Sequence, residues 1–385
     1  MELAAEQLRQ RPWQALALEP AIPIDALPSP ALLLDAAAFE RNLLRMADFL
    51  GARGKGFRPH AKTHKCPLIA HRQLALGAAG VCTAKVSEAL VMINAGIDRV
   101  LVTSPVVTPD KVALLHALAA DASQLDVVVD SDLGLELLRS GASPDAPVGV
   151  LVDVDVAMGR TGTRDVDRIL RLAEGAADTP GLRFRGVQHY AGQVMHVEGY
   201  ERRRDKSLAL WERVAELVEQ LSRHGFAPEV VTGGGTGTFD IDCDVDCITD
   251  LQVGSYIFMD EEYLRIGGSG SRRFDAFEVS LQVALTAISQ PRDGAITVDG
   301  GYKAFASDSV EPVPLDLPSV RFRFAGDEHG VLILEPGAQE PLLGSRQRFV
   351  VPHCDPTVNL YDYYWVCEDG LATSVWPIAA RGCSW

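Results

Sequence analysis

From residue 31 to about residue 260 the chain alternates short apolar runs with longer amphipathic stretches. The runs read ALLLD, GFRPHA, GVCTA, RVLVTS, LDVVVDS, VGVLVDVDV, FRGVQHY, PEVVTGGG and LQVGSYIF, and each predicts a strand. Between them lie helix-length segments such as AAAFERNLLRMADFLGARG and RRRDKSLALWERVAELVEQLSRHG. In the latter, Leu208, Leu210, Val214, Leu217, Val218 and Leu221 recur at roughly helical intervals, and Gly225 ends the pattern. About eight strand–helix units over roughly 230 residues point to an α/β chain built as a (β/α)8 barrel. An open doubly wound sheet is the alternative, weakened by the lack of GxGxxG after the first strand.

Beyond about residue 270 the rhythm changes. FEVSLQVALTAISQ, GAITVDGGYKAF, VRFRFAGDEHGVLIL, QRFVVPH and YYWVCEDGLATSVWPI read as strands joined by Gly, Pro and Asp turns. The expected division is a barrel over residues 27–270 and a β-rich second domain from 1–26 and 271–385, with a linker near GGSGSRRFD.

Charge narrows the partners. Among 385 residues, 36 Lys and Arg against 52 Asp and Glu leave a net charge of −16, which repels nucleic acid and anionic membranes. No apolar run approaches the ~20 residues of a membrane span. The N-terminal MELAAEQLRQRPWQALALEP has acids, Arg and Pro where a leader needs an unbroken apolar stretch. Cys66, Cys82, Cys243, Cys247, Cys354, Cys367 and Cys383 form an odd, scattered set, as in a reducing compartment. A cytoplasmic protein is expected. A zinc knuckle at Cys243 and Cys247 has no second ligand pair to complete it.

In a barrel the chemistry sits where strands end. RPHAKTHKCP collects cations in an acidic protein. If residues 58 to 64 run extended, Arg58, His60, Lys62 and His64 alternate onto one face and need an anion. Such crowding depresses a central lysine and leaves its amine nucleophilic; a solvated charge run on an edge strand is the plainer account. VVTGGGTGT brings bare backbone N–H groups and the hydroxyls of Thr232, Thr236 and Thr238, suited to a phosphate, although a simple Gly-rich turn has the same composition. No GK[ST] follows, so a nucleoside triphosphate is not expected. A lysine with a phosphate cradle on a barrel suggests pyridoxal phosphate. In PHCDPTVNLYD an extended strand places His353 and Asp355 on one face, a pair able to hold a divalent metal; a turn-capping Asp before Pro356 is the commoner outcome.

RPHAKTHK, DVDVAMGRTG, GGGTGT, QVGSYIFMD and HCDPTVNLYD, in that order, resemble the D-threonine aldolase group, whose neighbours include D-serine dehydratases and D-3-hydroxyaspartate aldolases and dehydratases. The likeness runs from LPSPALLLD to VWPIAARG. It implies an alanine-racemase-like (β/α)8 TIM barrel, bound pyridoxal phosphate, a metal-bearing β-rich domain and a homodimer. By position it implies that Lys62 carries the cofactor, that Arg160 bonds the cofactor's phenolic oxygen, and that His60 and Tyr190 line its pocket. It puts Thr232, Gly234, Gly235, Thr236, Ser255 and Tyr256 at the phosphate, His196 near the metal, and His353 and Asp355 on the metal.

The dehydratases resemble one another in having His-x-Cys, whereas this chain has Asp355 with Cys354 between. A carboxylate favours Mn²⁺ or Mg²⁺ and fits the aldolases. The implied reaction is retro-aldol cleavage of D-threonine and related D-β-hydroxy-α-amino acids to glycine and an aldehyde, with His196 or a base at the metal taking the hydroxyl proton. Alternatives are a D-3-hydroxyaspartate aldolase, a D-serine-type dehydratase, a racemase and a non-catalytic pyridoxal-phosphate carrier.

Overall fold

The computed structural model describes residues 13–306 and 310–385. The opening stretch discussed above lies outside the described residues as far as residue 12. The chain forms two compact units. One comprises Met1–Arg45, Thr63–Leu68 and Ser255–Gly382, the other Met46–Lys62, Ile69–Gly254 and Cys383–Trp385.

The second of these holds eight parallel strands, in the order Gly56–Phe57, Asp250–Leu251, Val230–Gly233, Leu182–His189, Val148–Asp153, Gln124–Val129, Arg99–Val102 and Val81–Thr83. The ends of that row meet. His60 pairs with Cys82 in a parallel bridge, and the Cys82 N–H donates to the Pro59 carbonyl at 2.8 Å. The sheet therefore closes into the expected barrel. Val148–Asp153 is buried at every position, as a strand covered on both faces must be.

Alternate residues of each strand point inward. Cys82, Leu101, Val128, Leu151 and Val230 form an apolar cluster. Against it lies a charged set that ordinary barrel packing would not require. Arg58 sits 3.5 Å from Asp250, both almost wholly buried, and Thr232 donates its hydroxyl to the same carboxylate at 2.6 Å. Burial opposes the Arg58 charge, but Asp250 and more distant Asp126 outweigh it and raise the guanidinium above its ordinary value. One anion that the cationic run requires is thus built into the barrel. Gly149 makes room for this layer, since a Cβ there would lie 1.9 Å from Asp126 Oδ1.

Ala31–Asp35, read above as the first barrel strand, lies elsewhere. It pairs antiparallel with Leu281–Arg292 and parallel with Tyr363–Glu368, inside a ten-stranded sheet of the other unit. Its continuously buried ALLL run suits a central strand of either sheet, so the local pattern does not distinguish them. The remaining pairs of that sheet are antiparallel and include Leu16–Pro23 with Leu371–Pro377 and Ala295–Val298 with Gly330–Leu334. Residues 255–270, also assigned to the barrel by pattern, fall in this same unit.

Replacing Arg58 by Met leaves Asp250 and Asp126 buried without their cation, so stability should fall by about 3–5 kcal/mol in urea unfolding. A ligand-binding role for Arg58 would instead leave the unfolding midpoint unchanged.

Candidate active site

The first barrel strand, Gly56–Phe57, is followed by the His60 bridge, and a 3-10 turn over Ala61–Thr63 then presents Lys62, partly buried, beyond the strand's C-terminal end. This corrects the extended reading: Arg58 and His60 continue the line of the strand as far as the His60 bridge, whereas Lys62 and His64 do not continue its face. The Lys62 N–H approaches His60 Nδ1 at 3.4 Å, and His60 Nε2 lies 3.1 Å from Thr103 Oγ1. Thr103 in turn donates to the Thr83 carbonyl. A ring that accepts at Nδ1 donates at Nε2, so the chain of bonds has one direction. Nearby strands add a second set. Gln188 donates to Asp153 Oδ1 at 3.0 Å and to the Thr103 carbonyl at 3.1 Å, and Gln252 donates to Gln188 Oε1 at 3.0 Å. Burial pushes the Asp153 carboxyl up, against the bonds from Gln188 and Thr161.

The loop after Val148–Asp153 carries Arg160. Its shape comes from Asp155, whose carboxylate accepts the N–H groups of Ala157, Met158 and Gly159 and the guanidinium of Arg164. Burial acts to raise this carboxyl, yet the donors from Gly159, Arg164, Ala157 and Met158 together hold it below its ordinary value. Gly162 is bound to Asp130 and adopts φ +94, where a Cβ would strike the Asp155 nitrogen at 2.7 Å. So held, the exposed Arg160 guanidinium lies 5.1 Å from the Tyr190 ring centroid. Tyr190 directly follows the strand Leu182–His189, and exposed His196 ends the short helix Gly192–Met195. Burial lowers the neighbouring His189 to about 4, so it is neutral, packed edge-on against Trp211.

The glycine segment turns sharply after Val230–Gly233 into a 3-10 turn at Thr236–Thr238 and the helix Phe239–Asp242. A Cβ on Gly233 would fall 1.8 Å from the His189 carbonyl oxygen, and one on Gly237 would fall 2.2 Å from that of Met195. Gly234 sits at φ +64. Side-chain-free backbone is thus demanded by the packing of this buried turn. Thr236 starts the 3-10 turn, whereas the Thr232 hydroxyl is already committed to Asp250.

In the other unit Ser255 and Tyr256 open a buried 3-10 turn, with Tyr256 edge-on to Phe277. Four residues on, Asp260 caps the helix Glu261–Leu264 through the Tyr263 N–H. Its other oxygen lies 2.9 Å from His353 Nδ1 and accepts the Cys354 N–H at 2.9 Å. His353 is itself the N-cap of a helix over Cys354–Val358, so the shared strand face expected for His353 and Asp355 is replaced by a helix start. Among the described residues, Asp260, His353 and Cys354 form a group whose candidate ligand atoms lie within 4.8 Å of one another. Burial alone would lower His353. The bond and charge of Asp260, then Asp355 and Glu262, override it and raise the ring to about 9. Three carboxylates about one imidazole make a donor set that a divalent cation would neutralise. Burial drives the Cys354 thiol well above its ordinary value. Asp260 was not singled out from the sequence, although its place before EEYL has the form of a helix cap.

This combination of a closed parallel barrel and a largely antiparallel sheet defines an alanine-racemase-like enzyme class. Residues 34–262 match the family described as Alanine racemase, N-terminal domain, and residues 280–367 the Putative serine dehydratase domain. A D-threonine aldolase of Arthrobacter sp is 40% identical over 95% of this chain and 96% of its own. A 3-hydroxy-D-aspartate aldolase of Paracoccus denitrificans is 36% identical over 92% of each. The solved D-threonine aldolase of Filomicrobium marinum superposes with a TM-score of 0.90 at 38% identity, covering 97% of this chain and 100% of that one. The chain belongs to the D-threonine aldolase family of pyridoxal-phosphate-dependent carbon–carbon lyases.

The glycine segment offers a graded test. Gly237→Ala should cost about 1–3 kcal/mol in thermal unfolding because its new methyl meets backbone. Gly235→Ala should cost less, because the atom in its way is Met195 Sδ at 2.8 Å, the end of a flexible side chain.

Proposed function

We propose that this enzyme cleaves D-threonine and related D-β-hydroxy-α-amino acids to glycine and an aldehyde. The observation that carries the reading is His353, whose Nδ1 lies 2.9 Å from Asp260 and 3.6 Å from Glu262, with Asp355 two residues further along the chain. That is a hard-donor site, suited to Mn²⁺ or Mg²⁺. His353 and Asp355 hold the ion, and Asp260 orients the imidazole from behind by its bond to Nδ1. Lys62, with His60 and Thr103 fixing its turn, holds pyridoxal phosphate; Arg160 and Tyr190 flank the ring, and Thr232, Gly234, Gly235, Thr236, Ser255 and Tyr256 receive the phosphate. Thr232 serves through its backbone, its hydroxyl being bound to Asp250.

When bound, the cofactor supplies an electron sink for Cα–Cβ cleavage, and the ion lowers the pKa of the substrate hydroxyl. His196 takes the proton from that hydroxyl as the bond breaks. Exposure of this ring at the end of a short helix supports a group that meets substrate. A homodimer in the cytoplasm goes with the same reading. It is supported by the family likeness and by seven cysteines that are free thiols, as in a reducing compartment.

Incubation with D-threonine should yield glycine and acetaldehyde in equal amounts. α-Ketobutyrate and ammonia in their place would establish a dehydratase. Because Paracoccus 3-hydroxy-D-aspartate aldolases align with the chain at similar coverage, D-3-hydroxyaspartate belongs in the panel. Lys62→Ala should lose the visible cofactor absorption. Chelation should abolish cleavage while leaving that absorption in place; full activity after exhaustive chelation would remove the metal from the mechanism. Asp260→Asn should weaken Mn²⁺ binding roughly 10–100-fold in an equilibrium titration, and unchanged affinity would refute its orienting role.

A further inference from the structure

Behind the glycine turn lies a carboxyl group that the mechanism above does not use. Asp242 is wholly buried. Its Oδ1 accepts the Ser207 hydroxyl at 2.6 Å, its Oδ2 accepts the Thr238 hydroxyl, and the Trp211 indole is a further hydrogen-bonding partner. The helix Tyr200–Arg223 organises this contact. Arg203, Ser207 and Trp211 recur every four residues, so they share one face, and all three are buried. Arg203 Nε donates to the Gly237 carbonyl at 2.7 Å, while its Nη1 donates to that of Val197 at 2.9 Å. The Trp211 ring reaches to 3.1 Å from a Cβ built on Gly233. Asp242 Oδ2 is 2.5 Å from the place a Gly234 Cβ would occupy. One helix face and one carboxyl therefore pack against the same turn that the reading above assigns to the phosphate.

This arrangement couples two negative groups through a residue that has no side chain. A phosphate dianion held by residues 233–236 would have Asp242 behind it, in a region from which water is excluded and where charges are poorly screened. Resting on the phosphate reading proposed above, we propose that Asp242 is the buttress that sets the turn's grip on the cofactor phosphate, and that ionising it loosens that grip.

The groups facing Asp242 agree with such a role. From the helix come Ser207 and Trp211, with Arg203 one turn earlier and engaged on carbonyl oxygens; beyond Trp211 lies His189, which is neutral. From its own segment come Thr238 and the partly buried Asp240. Burial is the largest influence and pushes Asp242 up to about 7, against the bonds from Ser207, Thr238 and Trp211 and with the charge of Asp240 adding to the rise. The carboxyl is neutral below that pH and ionised above it. The phosphate is held firmly on the acid side, and the hold weakens as pH rises through neutrality.

The test uses the full-length enzyme loaded either with pyridoxal phosphate or with pyridoxal, which lacks the phosphate. Dissociation constants are read from visible absorbance between about pH 6 and pH 8.5, for wild type and Asp242→Asn. Ionisation of the cofactor and of Lys62 affects both proteins alike, so the wild-type to variant ratio isolates Asp242. For pyridoxal phosphate this ratio should rise roughly tenfold across the interval; for pyridoxal it should stay flat. Ser207→Ala removes a bond that favours the ionised carboxyl, so it should shift the wild-type weakening to higher pH. That variant keeps the test decisive should Asp242→Asn fail to fold. A ratio independent of pH, or an unshifted profile in Ser207→Ala, with pyridoxal phosphate still bound more tightly than pyridoxal, overturns the role of Asp242 and leaves the phosphate reading standing. Equal binding of the two compounds by wild type overturns both.

Discussion

The barrel depends on the closure made by the short segment 56–60. This segment spans the gap between Asp250–Leu251 and Val81–Thr83, its N–H groups at Gly56, Arg58 and His60 donating to Thr249, Leu251 and Val253 and its carbonyls at Phe57 and Pro59 accepting from Ala79 and Cys82. Side chains beneath this ladder add to it. Arg58 is held by Asp250 from the strand on one side. His60 reaches Thr103, two strands away on the other. The closing strand is thus clamped from both directions, and Lys62 follows immediately at its end. Sealing the sheet and aiming the lysine are the same structural event.

Much of this was legible in the sequence. Alternation of short β-rich runs with amphipathic segments was enough for the barrel, because parallel strands covered on both faces leave continuous apolar runs. The motifs RPHAKTH, GRTG, GGGTGT and HCDP lie at strand or helix ends, where reactive groups belong. What failed did so for local physical reasons. ALLLD has the composition of a buried strand in either sheet, and only its partners, about 250 residues away, decide which. The face shared by Arg58, His60, Lys62 and His64 assumed extended backbone that the 3-10 turn interrupts at Ala61. Asp260 and Asp242 were invisible because each acts on residues distant in the chain. Their neighbours in sequence suggest only a cap and an acidic helix turn.

Buried carboxylates recur as the organising device. Asp155 gathers three backbone N–H groups to shape the loop of Arg160. Asp260 joins a helix cap to His353, and Asp250 balances Arg58. The Asp155 carboxylate is matched by its N–H donors and Arg164, and the Arg58 charge by Asp250, which offsets much of the cost of taking them out of water. An acidic protein can use carboxylates as internal fasteners and still keep its few clustered cations for the places that need them.

The path of the chain has a consequence for synthesis on the ribosome. Ala31–Asp35 emerges early, but its partners at residues 281–284 and 365–367 are made far later. At roughly 5–20 residues per second, the apolar segment waits on the order of 12–50 seconds before its first partner exists. During that interval it is an unpaired, aggregation-prone strand. Most barrel strands meet their neighbours much sooner, although Gly56–Phe57 must wait for Asp250–Leu251 before the barrel can close.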